Sequence, residues 1–547
     1  MTSRKLEIWI FIAIIAITVF FRFYRLDLIP PGLWPDEAAN GVDALKAINA
    51  TNFSAEGGPT LGWKIFYPAN NGREGLFINL QAVSIRVFGV TPWSLRVVSA
   101  VIGTLTVLGL YLLAKRLFDW RVAAISSFFL AVSFWHVNFS RIGFRAIMLP
   151  FILVWAFYFL WRGLRNGKLA EFFVAGLTGG LGFYTYFSFR IVPLIALVIF
   201  WNYWSYLKKD FTHFKYEHAK NQLLRGFALL MLTVIIIALP LLFYFYTHPE
   251  DFLKREGRPI SVFAQERPMK ELGISIVRTL GMFNFVGDHN QRHNIPGSPQ
   301  LALPVGVLFA VGFLRELVHW LKRKHGHLST VHTFLFSWFL VMLLPGFFSI
   351  EAPHALRTIG AIPVVMIFAA QGFMWLINLI LRLHRLTDPH AQFNRQIYGR
   401  ESYLLAFLAV IFFLSSIGFF EYSRYFRRWG LAFSTREAFV QRYVDIADYL
   451  NNAGTDVAKY ILANEGDVLV DGVSNNAQTV KFLTRSHSAA CSAQKNIYYL
   501  NKNQLQNIRF SDQLIVIPLA DNPELRRSML KYGLYPEGMG SFVVYKR

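Results

Sequence analysis

Long apolar runs separated by short polar turns make up most of the chain. Runs of about 17–25 apolar residues have the length at which an α-helix crosses a bilayer. The pattern predicts eleven membrane helices, at about 7–25, 94–117, 121–139, 147–164, 170–187, 190–206, 224–247, 301–321, 331–350, 356–382 and 403–421. We therefore expect a polytopic α-helical membrane protein.

The turns on one side of the predicted membrane are all basic. They contain Arg4 and Lys5; Lys115, Arg116 and Arg121; Arg162, Arg165 and Lys168; Lys208 to Arg225; Lys322, Arg323 and Lys324; and Arg382 and Arg385. Basic residues collect in cytoplasmic loops. This assignment places the loops 26–93 and 248–300, and the C-terminal region, on the outer face.

The first outer loop, residues 26–93, carries a second kind of pattern. Apolar residues recur at helical spacing from Leu76 to Phe88, with polar residues between them. This spacing predicts a helix lying in the membrane interface. A short membrane hairpin and a soluble helix are the open alternatives.

The pattern changes again near residue 425. Apolar runs shorten to strand length at Lys459–Ala463 and Gln513–Pro518, and helix-like stretches lie beside them. Such alternation predicts a small α/β domain. The expected organisation is a transmembrane domain over 1–424 and an extracytoplasmic domain over 425–547.

Composition agrees with this class and excludes others. The 547 residues are 54% hydrophobic, with a mean hydropathy of +0.37. The net charge of +22 is scattered among membrane segments, which argues against a nucleic-acid partner. The single cysteine, Cys491, rules out disulfides within the chain and thiolate metal clusters.

Two adjacent carboxylates follow the first predicted helix, in the stretch Trp34-Pro35-Asp36-Glu37. Carboxylates near a bilayer are costly unless they are solvated, paired or used. Asp36 and Glu37 are therefore candidate catalytic residues, and Glu74, which lies between two glycines, is a third. The alternatives are a helix cap for the pair, and an ion pair of Glu74 with Arg73 or Lys64.

Four arginines fall on the outer face, where topology predicts few basic residues: Arg141, Arg145, Arg190 and Arg357. Guanidinium groups bind phosphate oxygens in a bidentate manner. The four together indicate a site for a lipid-linked phosphate at the bilayer edge. Each could instead snorkel to a lipid headgroup or pair with a nearby carboxylate.

The loop after residue 287 contains Asp288, His289 and His293, whose side chains can bind a divalent cation. Because their spacing is that of a loop and not of a helix face, polar contact with substrate is the favoured interpretation there.

The stretch Trp34-Pro35-Asp36-Glu37 resembles the Asp-Glu signature of GT-C-fold glycosyltransferases, in particular protein O-mannosyltransferases and bacterial lipid A aminoarabinose transferases. The resemblance covers most of residues 1–421. Its other elements are Gly72-Arg73-Glu74-Gly75-Leu76, Tyr184-Thr185-Tyr186 with Arg190 and Pro193, Arg292-His293-Asn294-Ile295-Pro296-Gly297, and Pro353-His354-Ala355-Leu356-Arg357-Thr358-Ile359-Gly360.

The resemblance implies an inverting glycosyltransferase in the plasma membrane of a bacterium. Its donor would be a polyprenyl-phosphate sugar, and its acceptor a lipid, a glycan or a protein. No metal or other cofactor would be required. Asp36 would be the general base or the carboxylate that orients the acceptor, with Glu37 beside it, and Glu74 would match a second loop carboxylate. The implied substrate-binding residues are Trp34, Arg73, Tyr184, Tyr186, His293 and His354.

A transporter or flippase of lipid-linked sugars is the competing interpretation. Transporters carry internal repeats and charges near the bilayer midplane. In this sequence we find no repeat, and the informative charges gather at one face. The pattern therefore favours the enzyme.

Overall fold

The computed structural model describes residues 3–49, 62–210, 212–253, 261–322, 326–387, 398–463, 468–470, 472–510 and 513–547. Helices dominate the N-terminal part. They are α1 (Ser3–Phe23), α2 (Pro35–Asn49), α3 (Gly75–Phe88), α4 (Pro92–Leu117), α5 (Trp120–Val132), α6 (Phe134–Phe139), α7 (Met148–Asn166), α8 (Leu169–Gly182), α9 (Pro193–Asp210), α10 (His213–Thr247), α11 (Pro249–Leu253), α12 (Pro268–Gly281), α13 (Leu303–Lys322), α14 (His327–Phe347), α15 (Ile362–Thr387) and α16 (Tyr398–Tyr422).

The C-terminal part mixes helices and strands. Its helices are α17 (Phe433–Ala438), α18 (Gln441–Asn452), α19 (Gln478–Leu483), α20 (Ala489–Gln494) and α21 (Pro523–Lys531). The strands of the chain are β1 (Phe66–Tyr67), β2 (Arg73–Glu74), β3 (Ala458–Ala463), β4 (Leu469–Val470), β5 (Val473–Ser474), β6 (Ile497–Asn501), β7 (Leu514–Pro518), β8 (Tyr535–Gly538) and β9 (Val543–Lys546).

Ten of the eleven predicted membrane segments each overlap one α-helix, and the segment 121–139 overlaps two. Within the described residues, nine helices are long and apolar enough to cross a membrane. The helices α5 and α8, of 13 and 14 residues, are shorter. The predicted segment 121–139 is broken at Ser133, where the backbone turns between α5 and α6. The polytopic class is confirmed, whereas the count of eleven spans is not.

Close helix packing in the bundle depends on small residues. A Cβ atom placed on Gly312 of α13 would lie 1.8 Å from the carbonyl oxygen of Phe368 in α15. A Cβ atom on Gly372 of α15 would lie 2.0 Å from the carbonyl oxygen of Leu308. The two backbones therefore touch, which is the usual way that membrane helices gain van der Waals contact.

Between α1 and α4 the chain forms a separate layer at one end of the bundle. In this layer α2 packs on α3, and the short β1–β2 hairpin leads into α3. The helix α3 buries Phe77, Ile78 and Ala82 and exposes Val83 and Val87. A helix with buried apolar residues on one face and exposed apolar residues on another suits the predicted place in the membrane interface.

The C-terminal domain is built on a five-stranded sheet in the order β6-β3-β7-β9-β8. Strand β3 is parallel to both β6 and β7, while β9 is antiparallel to β7 and β8. The predicted strands at 459–463 and 513–518 are β3 and β7. The expected small α/β domain is thus present.

The packing changes from one core to the other later than the predicted boundary at 424. Tyr425, Trp429 and Phe439 belong to the core of the helix bundle. The separate core of the C-terminal domain begins at Tyr443. The segment after α16 is therefore part of the membrane unit.

Candidate active site

The predicted site residues lie in loops at one end of the bundle, which we call the site end. These loops lie between α1 and α2, between α2 and α3 (the β1–β2 hairpin), before α7, before α9, before α13, and between α14 and α15, and Asp36 and Glu37 follow the first of them in the first turn of α2. Because consecutive membrane helices run in opposite directions, residues far apart in sequence meet here.

Asp36 lies in the first turn of α2, partly buried, and three neutral donors hold its carboxylate. The indole Nε1 of Trp34 donates to Oδ2 at 3.1 Å. The side-chain amides of Asn70 and Asn475 donate to Oδ1 at 2.9 and 3.1 Å. These bonds hold both carboxylate oxygens, and none of the ion pairs found among the described residues involves Asp36.

A cation that interacts electrostatically with this carboxylate lies over the Trp34 ring. The guanidinium carbon of Arg292 is 3.7 Å from the centroid of the Trp34 ring. Its loop is anchored, since Asn138 Nδ2 donates to the Arg292 carbonyl at 2.7 Å. Burial lowers the pKa of Arg292, and the carboxylates of Asp36 and Asp288 oppose that effect. The described residues give its terminal nitrogens no hydrogen-bond acceptor, so they are able to bind an anion.

Glu37 points away from Asp36 into a structural pair. Its Oε2 accepts from Arg96 Nε at 3.2 Å and from the Gly143 amide at 2.6 Å, and both charged side chains are fully buried. The predicted catalytic role of Glu37 is therefore not supported by the geometry. Its position in the first turn of α2 is explained by the contact with Arg96.

Arg141 also has a structural environment. Its Nη1 and Nη2 donate to five main-chain carbonyls at the end of α1 and beyond, those of Phe21, Arg22, Tyr24, Arg25 and Ile29. The side chain is fully buried over Tyr425 and Phe426. With both terminal nitrogens occupied, Arg141 does not fit the predicted phosphate-binding set.

The β1–β2 hairpin brings a second carboxylate to the site end. Glu74, almost fully buried, accepts from Arg145 Nε at 3.0 Å. The alternative of an ion pair between Arg73 and Glu74 finds no support among the described hydrogen bonds of the Arg73 side chain. Its Nη1 donates to Asn40 at 2.7 Å and its Nη2 to Asp43. Arg73 thus ties the hairpin to α2.

Charge couples this hairpin to Asp36. Burial lowers the pKa of Arg73, Asp43 opposes that effect, and Arg145 adds to it. The carboxylate of Asp36 also raises the pKa of Arg73. Asp36 is therefore electrostatically coupled to Arg73 on one side and to Arg292 on the other.

The remaining arginines have different partners. Arg357 donates from Nη1 to Ser349 Oγ at 2.6 Å and from Nη2 to Glu351. Arg190 lies against the rings of Phe245 and Phe252, at 5.5 and 4.8 Å from their centroids. Neither contact prevents a phosphate from binding, because Glu351 is exposed and Arg190 is only partly buried.

The two predicted substrate tyrosines differ as well. Tyr184 donates its hydroxyl to the Ile237 carbonyl at 2.6 Å, within the bundle. Tyr186 is buried, and the guanidinium carbon of Arg145 lies 5.9 Å from its ring centroid. The structure therefore brings Tyr186 to the pair of Arg145 and Glu74 and directs Tyr184 into helix packing.

Asp288, His293 and His354 form a cluster that could hold a cation, with ligand atoms within 4.8 Å of one another. Asp288 Oδ2 already accepts from His293 Nδ1 at 3.0 Å and from the Ala355 amide at 2.8 Å. Burial is the main cause that lowers the pKa of His354, to about 3. His354, and not the predicted His289, completes the cluster, which joins the loops before α13 and before α15.

Comparisons with known proteins agree with this architecture. Residues 76–244 match the family model described as dolichyl-phosphate-mannose-protein mannosyltransferase. A segment of 122 residues is 32% identical to "Putative mannosyltransferase YkcB" of Bacillus subtilis (strain 168), covering 22% of this chain and 17% of that relative. The matched family segment begins after Asp36.

Solved structures match over nearly the whole chain. ArnT from Cupriavidus metallidurans bound to undecaprenyl phosphate has a TM-score of 0.55 at 15% identity, covering 98% of this chain and 97% of that one. The Archaeoglobus fulgidus oligosaccharyltransferase tethered with an acceptor peptide has a TM-score of 0.51 at 14% identity, covering 92% and 64%. The chain has the GT-C fold of membrane glycosyltransferases, as its sequence led us to expect.

Sequence reasoning missed three residues of the site. Arg292 lies within a motif that we singled out, but it was not counted among the outer arginines. Asn70 and Asn475 carry no local signal, because an asparagine in a turn is common for reasons of backbone geometry alone. Their contacts to Asp36 exist only in the folded chain.

Proposed function

We propose that this protein is an inverting glycosyltransferase that moves a sugar from a polyprenyl-phosphate donor to a lipid, glycan or protein acceptor. The observation that carries the proposal is the carboxylate of Asp36, held by three neutral donors beside the cation of Arg292. The GT-C fold and the mannosyltransferase family match support it.

The step needs one base and one anion site. An acceptor hydroxyl or amine attacks the anomeric carbon of the donor from the face opposite the phosphate, and Asp36 accepts its proton. The bond between that carbon and the phosphate oxygen breaks, and its electron pair stays on the phosphate. The products are the glycosylated acceptor, with inverted anomeric configuration, and polyprenyl phosphate.

Arg292 is the residue that we place against the donor phosphate. Its terminal nitrogens face no described acceptor, and its guanidinium is held on Trp34, whose indole binds Asp36. Preorganised cations are most effective where charge develops and water is partly excluded. Arg145, Arg190 and Arg357 are the further candidates, while Arg141 is excluded by its carbonyl contacts.

Several features suit a lipid-linked donor. The named relatives include one solved with undecaprenyl phosphate, and the described helices form a bundle of membrane length. We propose that the donor lipid lies along the bundle with its phosphate at the site end, on the extracytoplasmic side of the membrane. The sugar is a hexose or a pentose.

Replacement of Asp36 tests the proposal. Asp36→Asn keeps the size of the side chain but removes the base, so we expect kcat to fall by about 10²–10⁴-fold. The assay is transfer of labelled sugar from synthetic polyprenyl-phosphate donors in nanodiscs, with the donor sugar varied. Asp27→Asn is the matched control, because Asp27 is an exposed carboxylate in the same loop.

Two results would contradict the proposal. One is wild-type turnover in the Asp36→Asn protein. The other is movement of intact donor across the bilayer without sugar transfer, which would instead support the transporter interpretation.

We also propose that transfer needs no metal. The carboxylate of Asp36 is held by amide and indole donors, and Asp288 is already occupied by His293 and the Ala355 amide. Protein dialysed against EDTA should keep its full rate, measured with and without added Mg²⁺, Mn²⁺ or Zn²⁺. Loss of activity that Mn²⁺ or Zn²⁺ restores would overturn this view, and His354→Gln would then locate the ion.

A further inference from the structure

We infer that the C-terminal domain supplies a positioning residue, Asn475, that orients the carboxylate of Asp36 for proton transfer. This inference rests on the proposed function. It gives the C-terminal domain, which sequence patterns left without a role, a direct part in the chemistry.

The geometry at Asp36 is specific to this residue. Asn475 Nδ2 donates to Asp36 Oδ1 at 3.1 Å, beside the donor from Asn70 to the same oxygen. The Asn475 main chain is fixed, since its amide donates to the Val468 carbonyl at 2.8 Å. With Oδ1 held by two amides and Oδ2 by the Trp34 indole, rotation of the carboxylate is restricted.

The oxygen of the Asn475 side-chain amide supports a positioning role for this residue. Its Oδ1 is buried and has no hydrogen-bond partner among the residues that the structure describes. A buried, unsatisfied polar atom destabilises a fold, so such an atom needs an explanation. If the side-chain amide were rotated by half a turn, its oxygen would face the Asp36 carboxylate. Two hydrogen-bond acceptors would then repel each other, which is less favourable than one unsatisfied oxygen. The contact with Asp36 therefore sets the orientation of this side chain.

Further contacts fix the position of the C-terminal domain against α2 and against the loop before it. Thr479 Oγ1 donates to the Leu33 carbonyl at 2.8 Å. A Cβ atom on Gly41 of α2 would lie 2.6 Å from the Phe482 ring. On the other side of the loop, Gly32 has a φ of +73°, and a Cβ atom there would lie 2.3 Å from the Phe439 carbonyl oxygen. The loop before Asp36 is thus enclosed by later parts of the chain.

Two variants of Asn475 test the inference in the full-length protein. Asn475→Ala removes the donor, so kcat should fall roughly 10–100-fold, the factor associated with a hydrogen bond to a charged group, with the donor KM unchanged. Asn475→Asp places a second carboxylate beside Asp36. It should move the acidic limb of the pH–rate profile to higher pH, because like charges raise an apparent pKa.

Asn451→Ala is the matched control. Asn451 donates to the Leu483 carbonyl at the end of α19 but lies away from Asp36. This variant should keep the wild-type profile. If the Asn475 variants lose thermal stability and rate without any shift of the acidic limb, or match Asn451→Ala throughout, Asn475 is merely structural and the inference fails.

A measurement that does not depend on activity separates this inference from the proposed function. Carbodiimide modification of Asp36, quantified by mass spectrometry against pH, reports the protonation of that carboxyl group. Asn475→Asp should shift this titration upward by the same amount as the rate profile. If no donor sugar is transferred by the wild-type protein, the proposed function fails, and the carbodiimide titration still decides whether Asn475 sets the state of Asp36.

Discussion

Arginines at the site end show how the partners of a residue decide its role. Arg141 donates to carbonyl oxygens and is fully buried, Arg145 pairs with Glu74, and Arg292 stacks on Trp34. All three have the same charge and lie at the same end of the bundle. Among the described residues, the terminal nitrogens of Arg141 have acceptors, whereas those of Arg145 and Arg292 have none, and this difference separates a structural cation from candidate binding ones.

This difference can be measured by comparing two alanine variants. Arg141→Ala leaves several buried carbonyls without donors, at about 1–3 kcal/mol each, so we expect the melting temperature to fall sharply or the protein not to accumulate. Arg292→Ala removes a partly buried cation–π contact of about 0.5–2 kcal/mol, and it should leave melting nearly unchanged while raising the donor KM at least about tenfold.

Scanning fluorimetry and donor titration in the same nanodiscs check both expectations. Arg190→Ala serves as the comparison, because Arg190 lies in a cage of phenylalanine rings at the same end. If Arg292→Ala binds donor normally and Arg190→Ala does not, the phosphate site lies at Arg190.

The sequence could identify Asp36 and could not separate it from Glu37. Both follow Pro35, and both suit the first turn of a helix. What distinguishes them is Arg96, which lies on α4 and meets Glu37 only after folding. The local sequence pattern carries no information on a contact between residues of different helices. It therefore cannot show which of two adjacent carboxylates forms a buried ion pair.

At the scale of elements, prediction was more successful. Apolar runs located the helices of the bundle because every backbone group in a membrane must bond internally, which leaves helix as the one local solution for such runs. The break at Ser133 was missed, since the run is apolar on both sides of it. The late start of the C-terminal core was missed because Trp429 and Phe439 lie beyond the last long apolar run yet pack into the bundle.

At the scale of the whole molecule, the site end and the basic turns lie at opposite ends of the bundle. If the basic end faces the cytoplasm, the C-terminal domain faces outward together with Asp36. The chain has one cysteine, so a labelling experiment needs only one background change, Cys491→Ser. The exposed positions Gln494 and Lys208 then report on the two ends.

In intact cells, a membrane-impermeant maleimide should label the Cys491→Ser protein that also carries Gln494→Cys. It should label the one with Lys208→Cys only after the cells are opened. The labelling of each variant is measured as a mass shift on a gel. The reverse result would place the site on the cytoplasmic side, and the donor would then have to be used there.

The bond between Asn475 and Asp36 joins residues 439 positions apart. During synthesis Asp36 leaves the ribosome early, and the amide that completes its set of donors leaves late. The helix bundle can therefore be inserted in the membrane while its carboxylate still lacks one of three partners. On the proposed function, a chain stalled before its last domain would transfer sugar roughly 10–100-fold more slowly than the finished protein, as expected for Asn475→Ala, so the order of translation limits the use of donor lipid by unfinished enzyme.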